Sequence, residues 1–331
     1  MSERVQSSEH IQITKNARQI NVVLRTPEPI AHSTSALAEP MFHGKPLSQQ
    51  GQFGEIMKEL DRMVGLEHVK ELVFEIYALL RIATMRADVG LSAGSQVYHM
   101  IFRGNPGTGK TTVARIMARL FQTMGVLNKG HLVEVERADL VGEYIGHTAL
   151  KTRELVKKAI GGILFIDEAY SLARGGEKDF GKEAIDTLVK AMEDHKNQFI
   201  LILAGYSDEM EQFLMTNPGL PSRFPIQLDF PDYTVDQLMQ IVDSIVKERE
   251  YALTPSTEAK IRQQITNEKN QMEIAFSNAR FVRNLIEKAM RNHAVRLLSS
   301  PHMQPSKQDL MVIRPEDVKL ERKTKETHKF I

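Results

Sequence analysis

The chain has 331 residues, 42% of them hydrophobic, which is enough for a sizeable core in one large domain or two ordinary ones. Lys+Arg 43 against Asp+Glu 42 leaves a formal net charge of +1, so no overall field attracts nucleic acid or an anionic membrane. The absence of cysteine excludes disulfides, thiolate nucleophiles and cysteine zinc sites.

Residues 1–52 are rich in Ser, Gln, His and Pro, and TPEPIAHSTSALAEP and HGKPLSQQG break any period, which predicts a mobile N-terminal tail. MSERVQSSEH carries no apolar signal core, and no run approaches the roughly 18 uninterrupted apolar residues of a membrane span, so a cytoplasmic protein without a span is expected. FGEIMKELDRMVGL and VKELVFEIYALLRIATMRADVGL place apolar residues at helical spacing and predict two helices joined at 63–66. From residue 98 the pattern changes to short apolar runs separated by longer amphipathic stretches: YHMIF (98–102), LVEV (132–135), GILFI (162–166), FILILA (199–204) and FPIQLDF (224–230). Alternation of this kind predicts an α/β domain over 53–231, with a five-stranded parallel sheet flanked by helices. After FPDYT the strand signal stops, and DQLMQIVDSIVKERE, STEAKIRQQI and NARFVRNLIEKAMRNHAVRLL predict a small α-helical domain over 232–320. KLERKTKETHKFI, with 321–331 at its core, reads as a charged, solvated tail.

GNPGTGKT at 104–111 satisfies G-x-x-x-x-G-K-[ST] in full, directly after a predicted strand and before the helix TVARIMARLF. The residues Gly104, Asn105, Pro106, Gly107, Thr108, Gly109, Lys110 and Thr111 are therefore expected to form a phosphate-binding loop. Gly107 and Gly109 let the backbone curl so that N–H groups point inward, and the following helix adds the positive end of its dipole. Lys110 would reach the β and γ oxygens of ATP, and the Thr111 hydroxyl would enter the Mg²⁺ shell. The second element is GGILFIDEA, which ends a buried strand in Asp167 and Glu168 at the edge where such sheets bind ligands. Beside a phosphate loop, Asp167 suits a partner to Mg²⁺, and Glu168 a general base that polarises the attacking water. The 11 histidines show no H-E-x-x-H spacing, so a catalytic metal held by protein ligands alone is not expected.

In motif type and order, residues 55–320 resemble the AAA+ ATPases. LVGEYIGHTALKT, NPGLPSRF, FPDYT and SNARFVRN are similar to the branch that contains CbbX and stage V sporulation protein K, with the latter the nearer likeness. This resemblance implies an AAA+ P-loop fold with a helical lid, and a homo-oligomeric ring, usually a hexamer, with ATP between neighbours. It implies that Arg223 in LPSRF acts on the neighbour's γ-phosphate and that Arg280 in SNARFV is the lid's sensor arginine, with Arg283 one turn on as the alternative. Ser207 falls where relatives carry a polar sensor at the end of the fourth strand, the alternative being plain strand-end packing. Val64 and Gly65 match the segment that wraps adenine. Tyr144, Ile145 and Gly146 match the loop that lines the central pore of ring translocases, where an aromatic ring grips an extended polypeptide; the competing reading buries Tyr144 against its own domain.

The leading expectation is thus an ATP-dependent remodeller of a protein client, in bacterial sporulation. A nucleotide-gated scaffold and a Rubisco-activase-like remodeller are the alternatives. Near-neutral charge and the lack of a basic, aromatic-interleaved stretch argue against a DNA-linked motor.

Overall fold

A computed structural model describes residues 51–319 except 93, 95, 145, 176–178, 216, 218, 272–275 and 300–304, together with the backbone at 41–42 and 45–46. Most of the expected N-terminal tail and all of 321–331 lie outside the described residues. Within 1–52 the backbone forms a short antiparallel ladder, Met41–Phe42 (β1) with Lys45–Pro46 (β2), and the first helix, Gly51–Arg62 (α1), starts two residues earlier than its apolar pattern suggested. Glu67–Asp88 (α2) follows across a link in which Gly65 and Leu66 both take positive φ.

Five parallel strands make the central sheet: Met100–Gly104 (β3), Leu132–Val135 (β4), Ile163–Ile166 (β5), Ile200–Gly205 (β6) and Ile226–Phe230 (β7), in the order β4-β5-β6-β3-β7. The helices between them are Lys110–Thr123 (α3), Arg137–Leu140 (α4), His147–Ala159 (α5), Gly181–Asp194 (α6) and Ser207–Met215 (α7). The inner strands β3, β5 and β6 are buried on both faces, which explains why they read as nearly continuous apolar runs, whereas the edge strand β7 alternates, with Gln227 and Asp229 exposed. The period of two still sorts them. Met100, Phe102, Phe165 and Ile202 pack with α1, α2 and α3, whereas Ile101, Leu164, Ile166 and Leu203 pack with α5, α6 and α7. Phe102 is fully buried, 5.0 Å from the Phe230 ring and 6.5 Å edge-on to Phe165.

β3 begins two residues later than the run YHMIF, because Tyr98 and His99 approach the sheet without joining its ladder. The buried His99 Nδ1 accepts a hydrogen bond from the Leu201 N–H at 2.9 Å, and burial lowers its pKa to about 4, so the ring stays neutral at pH 7.

The helical region after the sheet comprises Val235–Glu248 (α8), Pro255–Gln271 (α9), Asn278–Leu298 (α10) and Lys307–Met311 (α11). Thr234 caps α8 through a capping box with Gln237. Two short strands, Ala252–Leu253 (β8) and Val312–Ile313 (β9), pair in parallel there. The buried Asp317 takes both Arg296 Nε (2.8 Å) and Nη2 (2.9 Å), tying the chain after β9 back to α10. Val282, Ile286, Ile261 and Ile265 of these helices belong to the same buried cluster as the α1–α3 face of the sheet.

Phe102→Ala is expected to lower stability by about 3–5 kcal/mol, because the neighbouring rings cannot close the cavity from both sides. Urea unfolding at constant m-value measures this.

Candidate functional site

β3 sits inside the sheet with β6 on one side and β7 on the other, so the loop that leaves it opens at the point where the strand order reverses. That loop is 104–111, and it runs straight into α3. Gly107 has φ +72°, and a Cβ there would lie 2.4 Å from Ser277 O and 2.8 Å from Arg280 N, so only glycine fits. Lys110 Nζ donates to Gly104 O (2.7 Å) and Asn105 O (2.9 Å), folding the ammonium back over the loop. Burial pulls the Lys110 pKa down and Arg280 adds to this, while Asp167, Asp232 and Glu168 oppose it. The lysine is thus the charge on which the site's acidic and basic groups converge.

Asp167 and Glu168 stand at the same sheet edge, just beyond β5. The Glu168 N–H donates to Asp167 Oδ1 at 3.0 Å, and Glu168 adopts the left-handed conformation, φ 47° and ψ 43°. For a residue with a Cβ that conformation costs roughly 1–2 kcal/mol, a strain that tends to gather at functional positions. A cavity of about 520 Å³ joins the phosphate loop to this acidic pair. Gly104, Pro106, Gly107, Gly109, Lys110 and Thr111 line it, with Asp167, Glu168, Val64, and both Arg280 and Arg283 from α10. Its size suits a nucleotide.

Not every expected residue faces this cavity. Asn105 and Thr108 support the loop from behind: Asn105 Nδ2 donates to Asp232 Oδ1 at 3.0 Å, and Thr108 Oγ1 to Asn105 O at 2.8 Å. Gly65 stands one residue beyond the lining Val64. Ser207 is outside the lining, as the first residue of α7, and Gly205 and Tyr206 line the cavity instead. β6 runs on through Gly205, one residue past the apolar run, and Tyr206 follows it before α7 begins at Ser207. Burial, and after it the Glu168 and Glu209 carboxylates, raises the Tyr206 pKa, which keeps the phenol a hydrogen-bond donor.

Arg223 lies elsewhere. It ends the 3₁₀ turn Pro221–Arg223 just before β7 begins, on the sheet edge opposite the cavity, and donates to Glu193 Oε1 (2.5 Å) and Gly219 O (2.7 Å). Tyr144 is 65% exposed, its ring edge-on to His147 at 5.4 Å, so it is not buried against its own domain. Gly146 has φ +81° and precedes α5, while Ile145 lies outside the described residues.

Asp232, Tyr233 and Asn278 were not singled out from the sequence. Asn278, fully buried with φ 43°, donates from Nδ2 to Asp232 Oδ1 (2.7 Å) and accepts from Tyr233 N (3.0 Å). Tyr233 Oη donates to Thr108 O at 3.1 Å, and burial pushes its pKa up to about 12. Ala279 N donates to Gly107 O at 3.2 Å, so the start of α10 rests directly on the phosphate loop. FPDYT and SNARFVRN held these residues in plain view, but only their convergence in space shows what they do.

Residues 100–232 match the family model "ATPase family associated with various cellular activities (AAA)", and 234–328 match "AAA lid domain". Stage V sporulation protein K of Bacillus subtilis is 56% identical over 92% of this chain and 95% of its own length. The chain belongs to the AAA+ ATPases, in the family of stage V sporulation protein K and CbbX. The chloroplastic ribulose bisphosphate carboxylase/oxygenase activase of Cyanidioschyzon merolae is 44% identical over 82% of this chain and 92% of its own length. CbbX of Cereibacter sphaeroides is also 44% identical, over 81% and 87%. The AAA domain of FIGL-1, solved in complex with ADP, shares the fold at TM-score 0.53 and 18% identity, over 77% of this chain and 80% of that one. The protein is thus a nucleotide-binding ATPase with a helical lid. Among the described residues, no helix of this ATPase is long and apolar enough to cross a membrane.

Gly107→Ala is expected to weaken binding of a fluorescent ADP analogue by about tenfold or more, roughly 1.4 kcal/mol, since the added methyl pushes against both the loop and α10. A fluorescence titration measures it, with the far-UV circular dichroism unchanged.

Proposed function

We propose that this ATPase works as a cytoplasmic homo-oligomeric ring, a hexamer, that couples ATP hydrolysis to remodelling or threading of a protein client in bacterial sporulation. The reading is carried by the placement of the arginines: Arg280 and Arg283 line the chain's own cavity, whereas Arg223 stands on the opposite edge of the sheet and outside that lining, which supports a role toward another subunit. We take 53–231 as the catalytic domain and 232–320 as the lid, in keeping with the two matched family regions.

In this scheme the inward N–H groups of 104–111 and the start of α3 hold the triphosphate. Lys110 exchanges the carbonyls of Gly104 and Asn105 for phosphate oxygens, which relieves its burial by pairing its charge. Among the described residues no three acidic or imidazole side chains converge on a cation, so Thr111 and Asp167 would hold Mg²⁺ in a shell completed by phosphate and water. Once bound, Mg²⁺ supplies positive charge against the phosphate oxygens. Glu168 takes the proton of the attacking water, and its left-handed backbone fixes where the carboxylate begins. Arg280 reaches the phosphates from the lid. Arg223 of one subunit meets charge that spreads over the transferring phosphoryl in the next, for which a planar guanidinium is suited. Val64 and its neighbour Gly65 border the base.

The exposed Tyr144, with Ile145 and Gly146, is assigned to the client: an aromatic ring grips by apolar contact that tolerates many sequences. The 56% identity to stage V sporulation protein K favours sporulation, and the 44% identity to a Rubisco activase keeps a Rubisco client as the second reading.

Glu168→Gln is expected to retain ATP and lower kcat by about 10²–10⁴-fold. Its native mass in ATP should be that of six chains, and wild-type turnover would remove Glu168 from the base role. Tyr144→Ala is expected to lose remodelling of the client recovered with the Glu168→Gln trap; remodelling that survives unchanged points to a nucleotide-gated scaffold.

A further inference from the structure

Arg223 is held at both ends of its side chain's reach. Its backbone is pinned between Leu220 and Phe224, both buried in the cluster of the α5–α7 face, and its own N–H donates to Leu220 O at 2.9 Å. The guanidinium is anchored separately. Nη1 donates to Gly219 O at 2.7 Å, and Nη2 to Glu193 Oε1 at 2.5 Å. Of five N–H donors this occupies two and leaves three for an incoming oxyanion.

Glu193 is the last residue but one of α6. The other end of that helix is fixed to the segment after Glu168: a Cβ on Gly181 would lie 2.1 Å from Leu172 O, and Arg137 bridges Ser171 O (2.6 Å) and Asp179 Oδ1 (2.5 Å). Ile185, Leu188 and Met192 bury the length between. At ~1.5 Å per residue, α6 is a rod of about 21 Å from the acidic pair's flank to the arginine.

We infer that Glu193 is the positioning residue for Arg223, holding the guanidinium in one orientation on the end of α6 so that it meets the neighbouring subunit's phosphoryl group without a search over rotamers. This rests on the reading of Arg223 as acting in the next subunit. Side-chain exposures of 34% for Arg223 and 59% for Glu193 mark the pair as a surface one, and such pairs contribute little to folding. Its effect therefore falls on turnover. A charged group pre-set for the transition state needs no reorganisation at the moment of reaction, whereas a free arginine gives up rotamer entropy each time.

The test is steady-state ATP hydrolysis by the assembled full-length chain. Glu193→Ala is expected to lower kcat by about tenfold, with KM for ATP within about twofold and the thermal midpoint unchanged. Glu193→Gln, which keeps an acceptor oxygen at the same reach, should recover most of that loss. In an Arg223→Ala background, Glu193→Ala should add nothing further. Turnover by Glu193→Ala at or above the wild-type rate, with Arg223→Ala slow, overturns the positioning role alone. Wild-type turnover by Arg223→Ala overturns both this inference and the reading beneath it.

Discussion

The contact between α10 and the phosphate loop is the constraint on which the rest of the ATPase depends. One carboxylate, Asp232, accepts from both the Asn105 and the Asn278 side-chain amides, and beside it Ala279 N donates to Gly107 O. Three segments meet there: the loop, the link from β7 into α8 and the start of α10. Each polar group in this cluster finds a partner, as burial requires. The shape of the loop and the stance of the lid are thereby one variable. Arg280 is one residue beyond Ala279, so whatever moves Gly107 also moves an arginine that lines the cavity.

Electrostatics makes the same region responsive. Lys110 is half-buried, and its charge is met by backbone carbonyls and by Asp167, Asp232 and Glu168. A triphosphate replaces weak dipoles with full charges, which is where the affinity of such a loop originates. Burial raises the pKa of both Tyr206 and Tyr233, the latter to about 12, so both phenols are protonated at pH 7.

The phosphate loop and the acidic pair could be read from the sequence because each compresses its chemistry into adjacent residues, and because the strands feeding them are buried on both faces and so appear as unbroken apolar runs. Asp232 and Asn278 could not be read this way. Each is an ordinary polar residue until the chain folds them together across the lid. Ser207 drew attention through the family resemblance, whereas in the fold it is the first residue of α7 and Gly205 and Tyr206 line the cavity. β8 and β9 contribute two residues each, too few for a period to register. Glu193 gave no motif at all; a carboxylate at the end of an amphipathic helix is commonplace, and only its contact with Arg223 distinguishes it.

The sheet's parallel order has one more consequence. The candidate nucleotide cavity lies where the strands end, and Arg223 stands where β7 begins, so the two sit on opposite edges of one sheet. With Arg223 serving a neighbour, back-to-back pairing about a two-fold axis cannot complete both sites at once, and every junction must instead be head-to-tail. The proposed ring would therefore carry an intrinsic polarity: all of its Tyr144 side chains would share a single sense of direction, and a polypeptide drawn through it would meet them in the same orientation at every step.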